Sequence, residues 1–223
     1  CIDGSFAGAY CDDDGVTGEA ILDELAAAGL DLTCGPLAGS PAVCLSRDAT
    51  RAESVAVLGG GAAVPLAGHP DAFVDDNGHP LERYLNAAKA YGILLGYQNG
   101  TEARADNVAT RSTLAIMLAR IYALPEASED YFSDDDGSAN EPWHNRVGAV
   151  GLFTGYDDGN GGRAFRGDQP ATRGALATLA ERARDAGLVA VWAPATVPAP
   201  GDDPPPADDP SGGDPADDPG DDP

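Results

Sequence analysis

Apolar residues recur along this chain at helical spacing, in pairs of segments. The second segment of a pair is the clearer one. Leu114, Met117, Leu118 and Ile121, and later Leu176, Leu179, Ala180 and Ala183, follow an i, i+3, i+4, i+7 stripe and predict amphipathic helices. The first segment sets Ile21 and Leu25, Tyr84 and Ala88, and Trp143 and Val147 four residues apart, on one helix face. Pro80 and Pro142 suit the first turn of such helices. Gly29, Gly92 and Gly151 suit the left-handed position just past their ends. A poorer stripe, Val55 and Leu58, predicts one more helix that Gly59-Gly60-Gly61 should end.

The pairs are copies of one unit. Tyr10-Cys11-Asp12-Asp13-Asp14-Gly15 aligns with Phe73-Val74-Asp75-Asp76-Asn77-Gly78 and with Phe132-Ser133-Asp134-Asp135-Asp136-Gly137. Each copy then carries its helix-ending glycine and an Ala-Thr-Arg triplet: Ala49-Thr50-Arg51, Ala109-Thr110-Arg111 and Ala171-Thr172-Arg173. The Thr should cap the second helix, and Thr50 with Glu53 forms a capping-box pattern. The loops between helices carry Gly96-Tyr97-Gln98-Asn99-Gly100 and Gly155-Tyr156-Asp157-Asp158-Gly159, which predict turns or short hairpins. The expected fold is mainly α, three helix-loop-helix repeats over residues 1–65, 66–125 and 126–190. Residues 191–223 are dominated by Pro, Asp, Gly and Ala. Such a stretch cannot bury enough apolar area to offset its ordering entropy, and it is expected to be a disordered linker or tail.

Charge and cysteine content narrow the function. With 37 acids against 13 bases the net charge is -24, which argues against non-specific nucleic-acid binding and against docking on an anionic membrane. Nothing approaches 18 consecutive apolar residues, so no membrane insertion is expected. The chain opens on Cys1 rather than Met, as a processed product or a fragment would. Its cysteines, Cys1, Cys11, Cys34 and Cys44, form no CxxC and have no His nearby, which disfavours zinc. Their ten-residue spacings make Cys1–Cys11 and Cys34–Cys44 the simplest disulfide set, and so point to an oxidising compartment. Cys34 and Cys44 lie in the one inter-helix loop without a Gly-Tyr turn, which a disulfide would brace. Cys1 has a second reading as a lipid-modified end, which would leave Cys11 unpaired.

The acidic turns do not fit an EF-hand. That loop wants an acid five residues before its Gly, where Tyr10, Phe73 and Phe132 stand. They read as solvated turns, with loose calcium binding as the second reading, and no metal or cofactor is assigned. No nucleophile-elbow, zinc-protease or phosphate-loop motif occurs. His69, His79 and His144 do not repeat in register, so no catalytic residue is expected.

Taken together, the motifs resemble three tandem S-layer homology repeats of bacterial surface proteins. Gly92-Ile93-Leu94-Leu95-Gly96-Tyr97-Gln98-Asn99-Gly100 and Gly151-Leu152-Phe153-Thr154-Gly155-Tyr156-Asp157-Asp158-Gly159 match that family's inter-helix turn. Thr50-Arg51-Ala52-Glu53 matches its helix start, whereas Thr110-Arg111-Ser112-Thr113 and Thr172-Arg173-Gly174-Ala175 depart from it after the Arg. The resemblance spans about residues 6–187 and implies a pseudo-three-fold helical domain. It implies non-covalent anchoring to a secondary cell-wall polysaccharide, a secreted, cell-surface location and no enzyme activity. It further implies that Arg51, Arg111 and Arg173 contact an anionic sugar, near the capping Thr50, Thr110 and Thr172. A guanidinium suits a carboxylate. Arg111 or Arg173 is expected to matter most, because their repeats keep the Gly-Tyr turn, with Tyr97 or Tyr156 lining the same groove. Two further readings stay open. One is a structural or adhesive surface module that contacts protein. The other is the non-catalytic part of a larger secreted enzyme with a fused or downstream domain.

Overall fold

The computed structural model describes residue 10 and residues 16–37 and 40–192. The Cys1–Cys11 pair, the first acidic turn and residues 193–223 of the expected tail lie outside the described residues. The described chain is mainly helical, in the order α1 (Glu19–Ala27), β1 (Gly35–Leu37), β2 (Ser40–Ala42), α2 (Arg51–Gly61), α3 (Glu82–Ala90), α4 (Arg111–Ile121), α5 (Glu141–Ala149), β3 (Tyr156–Asp157), β4 (Arg163–Ala164) and α6 (Arg173–Asp185). β1 pairs with β2, and β3 with β4, as antiparallel hairpins. No described helix is long and apolar enough to cross a membrane.

The helix boundaries follow from capping chemistry. Thr50, Thr110 and Thr172 stand in extended backbone just ahead of α2, α4 and α6. Their side chains accept the N–H groups of Glu53, Thr113 and Ala175, and such a cap contributes about 1 kcal/mol. Glu53 completes the capping box by accepting the Thr50 N–H at 3.0 Å. Gly29, Gly92 and Gly151 take φ of 87°, 70° and 74° at the ends of α1, α3 and α5, where a side chain would be strained. Pro142 lies in the first turn of α5, while Pro80 falls in the turn just ahead of α3. The predicted stripe residues are buried, except that Trp143 is half-buried with Arg120 and Arg146 over its ring at 5.1 and 4.7 Å.

One helix runs past its expected end. Gly59, Gly60 and Gly61 do not stop α2, which continues through Gly61. Packing explains this. A Cβ on Gly60 would lie 2.6 Å from Leu25 Cδ2, and one on Gly61 would lie 3.3 Å from Ala180 Cβ. The missing side chains let α1 and α6 close on α2. That burial outweighs the helix cost of each glycine, about 1 kcal/mol.

The three Ala-Thr-Arg triplets meet. The Ala49 N–H donates to Ala171 O at 2.7 Å, Ala109 to Ala49 O at 2.8 Å, and Ala171 to Ala109 O at 2.9 Å. These main-chain bonds close a ring. The next N–H groups, of Arg51, Arg111 and Arg173, donate to the carbonyls of Asn107, Gln169 and Arg47. Helix N-termini leave such donors without intrahelical partners, and here distant loops take them up. The chain after α6 also returns to the body. Val191 N–H donates to Ile121 O, and Trp192 Nε1 donates to Ala62 O at 3.1 Å, so the first two residues assigned to the tail are docked.

Candidate functional site

The three arginines are equivalent in sequence, and each reaches toward a loop distant in the chain. Arg51 Nε donates to Ala103 O, and Arg111 Nε donates to Phe165 O. Arg173 instead donates to Val43 O and Leu32 O, both at 2.6 Å. Their surroundings then diverge.

Arg173 is a buried brace. It is 5% exposed, and its Nε and second amino group both reach the Glu53 carboxylate. Burial alone would raise Glu53. The hydrogen bonds from Arg173 and Thr50, with the arginine charge, hold it below the ordinary carboxylate value. The Cys34–Cys44 disulfide, expected from its loop position, is present with its Cα atoms 6.1 Å apart. It ties down both ends of the β1–β2 hairpin, and so places the Val43 carbonyl. Two carbonyls of this loop and the Glu53 carboxylate of α2 meet the guanidinium where the other loops offer a tyrosine.

Arg51 is 7% exposed and lies over the Tyr97 ring at 4.7 Å. Arg104 covers the same ring at 4.2 Å, so two guanidinium groups share Tyr97.

Arg111 is the arginine that opens on a pocket. It is half-buried over Phe153, Tyr156 and Phe165, at 4.9, 4.8 and 5.2 Å from their centroids. Among the described residues, no partner takes its two terminal amino groups. It lines a pocket of about 240 Å³ with Phe153, Gly155, Tyr156, Thr178 and Arg182. Burial lowers the Arg111 guanidinium from its ordinary value, with Arg166 and Arg182 adding to this and Tyr156 and Asp134 opposing it. Arg166 lies over the other partner of this pair, at 4.4 Å from the Tyr156 centroid. Cationic, aromatic and hydroxyl groups thus converge on one concave surface of a strongly acidic protein.

The structure therefore brings Arg111 and Tyr156 into one pocket, pairs Arg51 with Tyr97 under a second arginine, and buries Arg173. Thr50, Thr110 and Thr172 spend their hydroxyls on helix caps. Arg182, Phe153 and Thr178 were missed by sequence reasoning. For Arg182 a signal existed: it occupies the same place in α6 as Arg120 in α4. The two donate in parallel to Leu152 O and Ile93 O.

A buried polar relay lies beside this site. His144 Nδ1 is 2.6 Å from Asp135 Oδ2, and its Nε2 is 2.8 Å from Ser112 Oγ. Those are the distances of a nucleophile, base and orienting carboxylate. Ser112, however, is 3% exposed, and a Cβ built on Gly167 would lie 2.4 Å from its Oγ. The backbone closes over the hydroxyl, leaving no room for an acyl group. Burial lowers His144 to about 4. Burial, with Asp130, Asp134 and Glu141 nearby, raises Asp135 to about 7. The relay clamps the start of α4 to α5. The acidic turns also differ from the solvated reading, since Asp76 and Asp135 are buried.

Among known proteins, no family model matches this chain, and no curated protein matches it significantly.

Proposed function

We propose that this chain is a non-catalytic cell-surface anchoring module of the S-layer homology type. Three repeats are arranged around a pseudo-three-fold axis, and they bind an anionic cell-wall polysaccharide in the pocket of Arg111, Tyr156 and Arg182. The observation that carries this reading is the pocket itself. A guanidinium with unspent donors, a second arginine and an aromatic face suit a carboxylate-bearing sugar. The ring of bonds among Ala49, Ala109 and Ala171 supports the three-repeat arrangement. The sealed Ser112 hydroxyl supports a non-catalytic module. Of the two intact Gly-Tyr grooves, that of Arg51 and Tyr97 is the poorer, because Arg51 is buried whereas Arg111 is half-buried and lines the pocket.

Co-sedimentation with purified sacculi tests this, before and after the secondary polymer is stripped. Arg111→Ala should weaken binding roughly ten- to a hundredfold, the loss of about 1.5–3 kcal/mol expected for one charge-assisted contact. Its unfolding midpoint should fall by only a few degrees, about 2–4 °C per kcal/mol lost. A folded Arg111→Ala/Arg182→Ala chain that binds like the parent would sink the assignment. Binding that survives stripping would move the partner from glycan to protein.

A further inference from the structure

Two buried carboxylates have no use in the site described above. Asp76 is 1% exposed, and neither of its oxygens has a partner. Asp135, its counterpart in the next repeat, is 6% exposed; its Oδ2 meets His144, and its Oδ1 has no partner. A buried carboxylate without a partner is strongly unfavourable, and a chain that places one twice at the same point of a repeat calls for a counter-charge.

The neighbourhoods are copies. Asp75 accepts the N–H groups of Ala103 and Arg104, and Asp134 accepts those of Phe165 and Arg166, so these two acids are already spent on their own loops. Glu82 and Glu141 each use Oε2 to accept a glycine N–H, from Gly78 at 2.8 Å and from Gly137 at 2.9 Å. Among the charges that bear on Asp76 are Asp71 and Glu82, and among those on Asp135 are Asp130 and Glu141, at the matching positions. In the second turn, ligand oxygens of Asp130, Asp136 and Glu141 lie within 4.8 Å of one another, close enough to share one ion.

We infer that the turn ahead of α5 is a calcium site, formed by Asp130, Asp136 and Glu141 with the buried Asp135 charge beside them. Among the described residues the turn ahead of α3 brings no three acids together in this way. It lacks one of them, since Asn77 stands where the second turn has Asp136. The donors are carboxylate oxygens, which select a hard cation. Irregular loop backbone and water to complete the shell favour calcium over magnesium, which demands a near-octahedral cage. This inference is independent of the glycan reading.

The test uses the full chain, freed of metal with EDTA and titrated with calcium chloride by calorimetry and by thermal melting. One calcium ion per chain is expected, with a melting midpoint that rises with calcium. Asp136→Asn, which installs the residue of the first turn, should remove it, and Asp76→Asn should leave it bound. Glu141→Gln gives a second route to loss of the site, because its amide oxygen can still accept the Gly137 N–H. Asp168→Asn, an exposed acid elsewhere, should change nothing. No bound calcium at millimolar concentration, retention of the ion by an Asp136→Asn/Glu141→Gln chain, or preference for magnesium would each overturn the inference.

Discussion

Three arginines that each follow an Ala-Thr pair do different work because of what each meets. Arg173 and Glu53 are buried together, so removing either leaves an uncompensated charge. Arg173→Ala should cost about 3–5 kcal/mol in urea unfolding. Arg111→Ala should cost about 1–2 kcal/mol, the hydrogen bond to Phe165 O and the contacts over three rings. Glu53 titrates below its ordinary 4.5 in the folded chain, so the unfolded chain takes up that proton more readily. Its contribution is present above pH 4.5 and is lost as pH falls further. Asp76 has the opposite sign. Burial, with Asp71, Glu82 and Asp75 nearby, raises it from 3.8 to about 6. The folded chain therefore holds that proton longer than the unfolded chain. Stability from this group is present below about pH 4 and lost as pH climbs to about 6. Asp76→Asn should flatten that fall, a difference on the order of 3 kcal/mol at pH 8 measured by urea titration.

At the scale of the element, α2 turns on glycine. A Cβ at Gly59 would make an ordinary contact with Val64 at 3.5 Å, whereas one at Gly60 would overlap Leu25. Gly59→Ala should therefore stabilise by up to about 1 kcal/mol through helix propensity. Gly60→Ala should destabilise by about 1–3 kcal/mol through overpacking, and thermal melts of the pair check the sign of each. The hairpin of β1 and β2 depends on its disulfide. Cys34→Ser/Cys44→Ser should lose about 2–3 kcal/mol by the loop-entropy argument, and more if the Val43 carbonyl then leaves Arg173. These elements also mark what could be read beforehand. The Thr caps, the glycine helix ends and the Cys34–Cys44 link are local chemistry, and the sequence displays local chemistry directly. The length of α2 was not legible, because the partners of Gly60 and Gly61 are Leu25 and Ala180, far away in the chain. The surroundings of Arg173 were not legible for the same reason. Its Ala-Thr-Arg triplet matches the other two, but its burial depends on Glu53 and on the carbonyls of Leu32 and Val43, which no local spacing announces. Asp76 and Asp135 read as turn residues, and only the packed loops around them show that the carboxylates are inside.

At the scale of the molecule, the ring through Ala49, Ala109 and Ala171 ties together segments that the chain separates by some sixty residues. Each triplet donates to one neighbour and accepts from the other, so no two of the three close the ring alone. The helix starts depend on it as well, since the first N–H groups of α2, α4 and α6 are taken up by loops outside their own helices. The ends are joined too: α6 packs on α1 and α2, and Arg184 pairs with Glu24 on the surface. Removal of residues 126–223 would strip α2 of its α6 partner. It would also leave the Ala49 N–H and the Ala109 carbonyl without their partners, and the buried Glu53 carboxylate without the Arg173 guanidinium. Burying unsatisfied donors and a lone charge outweighs what two repeats can regain by relaxing. The full chain should therefore unfold in one transition, with far-ultraviolet dichroism and the fluorescence of Trp143 and Trp192 tracing the same midpoint. The fragment of residues 1–125 should lack a cooperative transition. A fragment that melts sharply and near the parent midpoint would show that the ring is an accessory to repeats that fold by themselves.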